Sequence, residues 1–274
     1  MRTMRKGLHI GTCGWSYPEW KGIFYSNEGG FIQQYLSYFN IAEINATFYG
    51  PLKEDFMKFL KLELPPEKSF TAKIPHAVTH NNRLDLRTDA GPALSEFFTK
   101  TKTMIDRLEA LLIQLPPWDV STFGNLEVFF NALDTDYRYA VEFRHESWLK
   151  PSVFELLEKY GLAYTIVDEP RLPIDMRVTT DFTYVRLHGH GDDPWYNYMY
   201  SPKELLEWKL RLEQLSEEIG TVFVFFNNHF FGYGPTNALQ MMNLLGTTTP
   251  RQVRKMEQML KKLSVKQTLL EDFK

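Results

Sequence analysis

The hydrophobic and polar positions of the chain follow two alternating patterns. Short runs rich in branched and aromatic residues recur, and most are followed by a segment whose apolar residues keep helical spacing. Alternation of this kind is typical of a parallel sheet covered by helices. Eight strands are predicted, at Leu8–Thr12, Ile41–Asn45, Ser69–Ile74, Ala110–Leu115, the start of Ala140–Trp148, Ala163–Val167, Thr183–Leu187 and Thr221–Phe226.

Helical spacing predicts most of the connections between these strands. Segment Glu169–Asp181, between the sixth and seventh strands, has no such spacing and is predicted to be a loop. The predicted helices are Phe31–Phe39, one opened by Pro51, Pro92–Leu108, Phe123–Leu133, Pro151–Tyr160 and Pro202–Ile219.

Eight strands alternating with helices are the number found in a TIM barrel, so we predict a (β/α)8 barrel over residues 1–246. A doubly wound open sheet is the alternative. No glycine-rich dinucleotide motif or P-loop follows any strand, which counts against that alternative. Residues 247–274, with a basic amphipathic helix beginning at Pro250, are predicted to form a helical extension packed on or near the barrel.

Composition restricts the class of protein. A chain of 274 residues that is 43% hydrophobic can bury a large core. The net charge of -3 gives no general attraction to nucleic acid or to an anionic membrane. The single cysteine, Cys13, excludes an intramolecular disulfide and a multi-cysteine metal site. No apolar run approaches the roughly 18 residues of a membrane span, so we expect a soluble, cytoplasmic protein.

Polar side chains interrupt the apolar pattern near the ends of nearly all the predicted strands. Residues two apart on a strand point to the same face, and the residues between these polar ones are mostly apolar. In a barrel, such side chains converge at the C-terminal mouth, where the active sites of barrel enzymes lie. The set consists of Glu43, Asn45, Lys73, Gln114, Glu142, Arg144, Asp168, Arg186, His188 and Asn227.

The mixture of charges in this set favours an anionic ligand over a metal ion. A hard metal ion requires several carboxylates and zinc requires several histidines, whereas three cations are interleaved here with the acids. We therefore predict a small phosphate, carboxylate or sugar-phosphate-like ligand, with Glu142, His188 and Glu43 as candidate proton carriers. The predicted ligand-binding residues are Lys73, Arg144, Arg186, Asn45, Gln114, Asp168, Asn227, Trp15 and Tyr49.

Six short motifs lie along the chain near the predicted strands. They are Gly11–Trp20, Phe39–Tyr49, Leu112–Pro117, Val141–Trp148, Tyr184–Gly189, and Phe226–Asn228 followed by Asn237 and Ala238. These motifs resemble those of the YecE-like family. The resemblance runs from about Leu8 to Gly246 and implies a TIM-barrel-like domain of unknown function, which leaves the activity open. Two positions depart from the family's pattern: His229 stands where an acidic residue often follows the paired asparagines, and Cys13 stands where serine is frequent.

Three other interpretations remain open. The charges at the strand ends are also consistent with a purely structural ion-pair network. Analogy with barrels such as endonuclease IV and xylose isomerase suggests a metal-dependent phosphodiesterase or isomerase. A non-catalytic protein could touch nucleic acid through its basic tail and the loop His76–Arg83. The sequence specifies no cofactor and no oligomeric state, and it leaves open whether the protein is an enzyme.

Overall fold

Eight parallel strands form a nearly closed barrel, which confirms the predicted fold class. The structure is a computed structural model that describes residues 7–26, 29–50, 52–124 and 126–271; Pro51, predicted to open a helix, lies outside them. The strands pair in chain order from β2 to β8, and β8 pairs with β1. They are β1 (Gly7–Thr12), β2 (Ile41–Ile44), β3 (Ser69–Lys73), β4 (Leu108–Gln114), β5 (Tyr139–Glu142), β6 (Ala163–Asp168), β7 (Thr183–Leu187) and β8 (Thr221–Phe226).

Helices cover the outside of the barrel, but their boundaries differ from those predicted. The helix predicted over Pro92–Leu108 ends earlier, because Leu108 already begins β4. No helix joins β6 to β7, which confirms the predicted loop. The helices are α1 (Phe31–Leu36), α2 (Ala46–Tyr49), α3 (Glu54–Glu63), α4 (Ala90–Thr101), α5 (Leu126–Asn131), α6 (Pro151–Lys159), α7 (Pro202–Ile219), α8 (Tyr233–Leu244) and α9 (Pro250–Glu271).

The two faces of each strand have different surroundings. Residues on the outer face, such as Ile44, Val141 and Val185, pack under the helices in the large hydrophobic core. Alternate residues point into the barrel and fill its lower part with a separate apolar cluster, so the interior below the mouth is closed to solvent. This inner cluster consists of Cys13, Ile41, Ala110, Leu112, Ala140, Ala163, Phe182, Tyr184, Phe223 and Phe225.

The barrel closes between β1 and β2 through a side chain instead of a complete ladder of backbone hydrogen bonds. The hydroxyl of Tyr35, on α1, accepts a hydrogen bond from the Thr12 backbone nitrogen at 2.9 Å and donates one to the Ile41 carbonyl at 3.0 Å. Gly11 allows the close approach, since a Cβ there would lie 2.3 Å from the Ile41 oxygen. We call this junction of β1 and β2 the seam.

The C-terminal helix α9 packs against α8 and against the loops that precede and follow α1. Its apolar face is buried, with Met259 fully enclosed. Gln252 donates a hydrogen bond to the Tyr38 carbonyl at 2.6 Å, and Lys262 donates one to the Gly22 carbonyl at 2.7 Å. Part of the basic character of α9 is therefore directed toward the barrel. Among the described residues, no helix is both long enough and apolar enough to cross a membrane.

Candidate functional site

The polar side chains predicted for the inner face meet at the C-terminal mouth of the barrel. At its centre lies Arg186, on β7, which is fully buried. Its guanidinium donates to Glu142 Oε2 at 2.6 Å and to Glu43 Oε1 at 2.7 Å. Tyr184, one inward-facing residue below, donates to the other oxygen of Glu43 at 2.8 Å. One arginine therefore joins carboxylates from β2 and β5.

Arg144 forms the second bridge of this network. Its guanidinium pairs with Glu142, already held by Arg186, and with Glu169, and a third contact of 2.9 Å reaches His188 Nε2. Acidic and basic groups thus alternate in one chain across the mouth, in the order Glu43, Arg186, Glu142, Arg144 and Glu169. We call this chain the ionic network. It matches the structural ion-pair interpretation. Each of the two arginines pairs with two carboxylates, and the buried Nε of Arg186 has no hydrogen-bond partner among the described groups.

The sequence-based placement of Asp168 at the mouth is wrong. On β6 the small or polar residues Ala163 and Thr165 face inward, so the next inward positions are Val167 and Glu169. Asp168 points to the helical layer, where it accepts a hydrogen bond from Trp208 of α7 at 2.7 Å and contacts His190 at 2.6 Å. Glu169 takes the place predicted for Asp168. The inward phase of Ala163 and Thr165 is the sequence signal from which Glu169 can be predicted.

Exchanging Asp168 for Glu169 leaves the charge balance of the mouth unchanged. Three carboxylates, Glu43, Glu142 and Glu169, face Lys73, Arg144 and Arg186, so the site is balanced and not rich in cations. Burial alone would raise the pKa of Glu142, but Arg144, Arg186 and Lys73 outweigh it and lower that pKa to about 2. Glu142 is therefore ionised at neutral pH, and both of its oxygens accept from arginine.

His188 is neutral and fixed in one tautomer. Because arginine can only donate, the contact with Arg144 requires a lone pair on His188 Nε2 and places the proton on Nδ1. His188 Nδ1 lies 2.8 Å from the side-chain nitrogen Nδ2 of Asn227, so a proton on Nδ1 requires the Asn227 amide to be turned, with its oxygen facing the ring as the acceptor. Burial, followed by the nearby Arg144, Arg186 and Lys73, holds the pKa of His188 well below its ordinary value.

Lys73 differs from the other cations of the mouth. It is buried at the end of β3, donates to Gln114 Oε1 and lies 4.5 Å from the centre of the Phe48 ring. Among the described residues it forms no ion pair with a carboxylate, whereas Arg144 and Arg186 each form two. Burial, reinforced by Arg186, lowers the pKa of Lys73 to about 8.

An aromatic cleft borders the network on the side of β1 and β2. Its volume is about 530 Å³, within the range of small-molecule sites. Asn45 lines it, and the buried Oδ1 of this residue has no hydrogen-bond partner among the described groups. Trp15 and Tyr49, both predicted to bind ligand, form part of the wall, and Tyr49 is 82% exposed. The remaining wall residues include Tyr17, Phe31, Phe56 and Phe59.

Two further features of the mouth are a pair of histidines, His76 and His80, and the thiol of Cys13. His76 and His80, from the loop after β3, stack on each other at the rim with ring centres 4.5 Å apart. Cys13 is a buried thiol whose pKa is raised by burial, and its sulfur accepts a contact of 3.3 Å from Arg186. Within the part of the chain that the structure describes, no three His, Cys, Asp or Glu side chains are grouped as metal ligands would be.

Comparison with known proteins identifies the family. The model of the family described as protein of unknown function DUF72 matches residues 9–261. The chain belongs to this family. The resemblance inferred from the motifs is confirmed at that level, and the match continues past Gly246 into α9.

Relatives in the DUF72 family share both sequence and fold with this chain. The UPF0759 protein YunF of Bacillus subtilis (strain 168) is 29% identical over 244 residues, which cover 78% of this chain and 86% of that protein. A DUF72 family crystal structure from Thermotoga maritima MSB8 is 30% identical, with a TM-score of 0.76 over 87% of this chain and 99% of that one. A second, from Enterococcus faecalis V583, has a TM-score of 0.73 at 21% identity over 89% and 99% of the two chains.

Proposed function

We propose that the mouth of the barrel binds a small ligand through an anionic group, a phosphate or a carboxylate, and that Lys73 is its principal contact. The observation that carries this proposal is the state of Lys73, a buried cation held by an amide and an aromatic ring with no ion pair among the described residues. Burying a cation without a counter-charge is costly, and a bound anion would offset that cost. Gln114 would orient the anion beside it.

In this proposal the two arginines support the site instead of contacting the ligand. Arg144 and Arg186 are each shared between two carboxylates, which already neutralise their charge, and Arg186 is fully buried. The uncharged part of the ligand would lie toward the aromatic cleft, against Trp15 and Tyr49, with a donor for Asn45 Oδ1. Asn227 would not contact the ligand; its side chain holds His188 in position.

The geometry favours binding over acid–base catalysis by the predicted proton carriers. Glu142 is a carboxylate with a pKa of about 2, so it has little tendency to take or release a proton near neutrality. The oxygens of Glu43 accept from Arg186 and Tyr184, and the only lone pair of neutral His188 is used by Arg144. No observation on the described residues favours the metal-dependent or the nucleic-acid alternative.

Calorimetric titration of the purified protein with inorganic phosphate, lactate and citrate tests this proposal. We expect at least one of these anions to bind the parent, and Lys73→Met to lose that binding because the cation is gone while the volume is kept. Lys58→Met is the matched control, since Lys58 is an exposed lysine on α3 that pairs with Glu54. Equal affinities for the parent and Lys73→Met, or no binding of any anion, would contradict the proposal.

A further inference from the structure

The surroundings of Lys73 are those of a lysine that can lose its proton. The residue is 6% exposed, and its Nζ contacts an amide oxygen of Gln114 and the face of Phe48. Neither partner carries a negative charge, so neither fully replaces the water removed from the ammonium group. Buried lysines of this kind supply the amines that form Schiff bases in enzymes.

The position of Lys73 adds a second argument. It is the last residue of β3 and points inward, which places it at the C-terminal mouth, where barrel enzymes carry their reactive groups. With a pKa of about 8, roughly a hundredfold more of Lys73 is neutral at pH 7 than of an ordinary exposed lysine. The ion pairs of Arg186 with Glu43 and Glu142 do not include Lys73 and would stay intact during a reaction at this nitrogen.

We propose that Lys73 is a nucleophilic lysine that forms a Schiff base with a small 2-oxo acid. The inference rests on the proposed function, because the carboxylate of the 2-oxo acid is the anion bound there. Because each arginine already pairs with two carboxylates, we assign the anion and the reacting carbonyl together to the single nitrogen of Lys73. A 2-oxo acid meets that condition, because its carboxylate is bonded directly to the carbonyl carbon.

The reaction balances without any further reagent. The neutral Nζ attacks the carbonyl carbon, a proton moves from nitrogen to oxygen, and a carbinolamine results. The oxygen then takes up one more proton, supplied by water, and leaves as a water molecule while the C=N bond forms. Starting from the ammonium form, the sum is one ammonium and one ketone giving one protonated imine and one water. The nitrogen beside the carboxylate is therefore positively charged at the start, as the ammonium, and at the end, as the protonated imine.

Lys255 provides an internal comparison for this proposal. Burial lowers its pKa to about 8 as well, but it lies on α9, with its Nζ 5.4 Å from the centre of the Phe24 ring and 5.6 Å from that of Tyr38. Lys255 is therefore as easily deprotonated as Lys73 but lies outside the mouth. Selective reaction of Lys73 would show that the site, and not the pKa alone, directs the chemistry.

Reductive trapping with pyruvate and sodium cyanoborohydride tests the Schiff base. The full chain is treated at pH 7 and digested, and the peptides are mapped by mass spectrometry. We expect one carboxyethyl group on Lys73, with an extent that saturates as pyruvate is raised, at least tenfold less on Lys255, and none at position 73 in Lys73→Gln. The trapping rate should rise as the pH passes about 8.

Lactate, which has the carboxylate but no carbonyl, separates this inference from the proposed function. Competition by lactate with saturable trapping at Lys73 supports both. Reversible binding of pyruvate and lactate without an adduct on Lys73 overturns the Schiff base and leaves anion binding standing. Trapping that is spread over exposed lysines, or equal on Lys255 and Lys73, also overturns the inference. Failure of both acids to bind or react overturns the Schiff base, and failure of phosphate and citrate to bind as well overturns the two proposals together.

Discussion

Two buried glutamates share Arg144 but differ in how strongly they hold their charge. Glu142 accepts from two arginines, which bring its pKa to about 2 despite complete burial. Glu169 accepts from Arg144 alone, and its Oε1 has no partner among the described groups. For Glu169, burial prevails and raises the pKa. The surroundings of Glu142 therefore stabilise its ionised form, whereas those of Glu169 favour the protonated form.

Replacing each glutamate by glutamine should separate these two situations. We expect Glu142→Gln to lower the free energy of unfolding by about 3–5 kcal/mol, because it removes the counter-charge shared by the buried Arg186 and the partly buried Arg144. Glu169→Gln should cost less than half as much, since a neutral group suits that position better. Urea denaturation at pH 7 measures both values. Equal losses would contradict the difference described here.

For single residues, the sequence predicts the face of the strand on which a side chain lies better than it predicts the ion-pair partner of that side chain. The inward phase of Glu43, Lys73 and Arg186 follows from simple alternation with apolar neighbours, and the structure confirms it. The polar end of β6 suggests that Asp168 points inward, but Ala163 and Thr165 set the inward phase of this strand and turn Asp168 outward. Which arginine pairs with which glutamate depends on distances across the barrel, and alternation along one strand contains no such information.

The seam is the element-scale feature on which closure of the barrel depends. Among the described residues, strands β1 and β2 are joined by a single bridge, between Cys13 and Glu43, which includes the backbone hydrogen bond from Gly14 to the Glu43 carbonyl at 2.8 Å. The hydroxyl of Tyr35 satisfies the next backbone donor and acceptor along the seam. The Tyr35 hydroxyl thus replaces a direct hydrogen bond between the backbones of the two strands.

Removing that hydroxyl should weaken the protein measurably. In Tyr35→Phe, the Thr12 nitrogen and the Ile41 carbonyl are both left buried without a partner, so we expect a loss of about 1–3 kcal/mol in the free energy of unfolding. Tyr38→Phe, which removes a hydroxyl one turn away and outside the seam, is the control. Thermal and urea unfolding give the comparison. Identical stabilities for the two variants would show that the seam closes without the phenol.

The order of strands and helices was predictable, and their ends were not. Period-two and helical spacing placed all eight strands and the helix-free connection after β6. The helix expected to reach Leu108 overran because Leu108 is apolar and fits either spacing. The seam could not be predicted, since nothing in the sequence around Tyr35 indicates that its hydroxyl reaches another strand.

The ionic network also sets how the stability of the whole molecule depends on pH. The folded pKa of Glu142, about 2, lies below its ordinary value of 4.5, so the unfolded chain binds more protons between these values. The stability contributed by Glu142 is complete above about pH 4.5 and is lost as the pH falls toward 2. We expect the free energy of unfolding, measured by urea denaturation from pH 7 to 3, to fall less steeply in Glu142→Gln than in the parent. Parallel curves would contradict this.

The network has a further consequence, for how the chain folds. Arg186 and Glu43 are 143 positions apart, and they lie on strands that are not neighbours in the sheet. In a partly assembled barrel, burying either charge before its partner is in place would cost desolvation free energy with no ion pair to offset it. We therefore expect these side chains to stay hydrated until β2, β5 and β7 are all in place. The mouth of the barrel would then form in the last step of folding, together with the closure of the sheet.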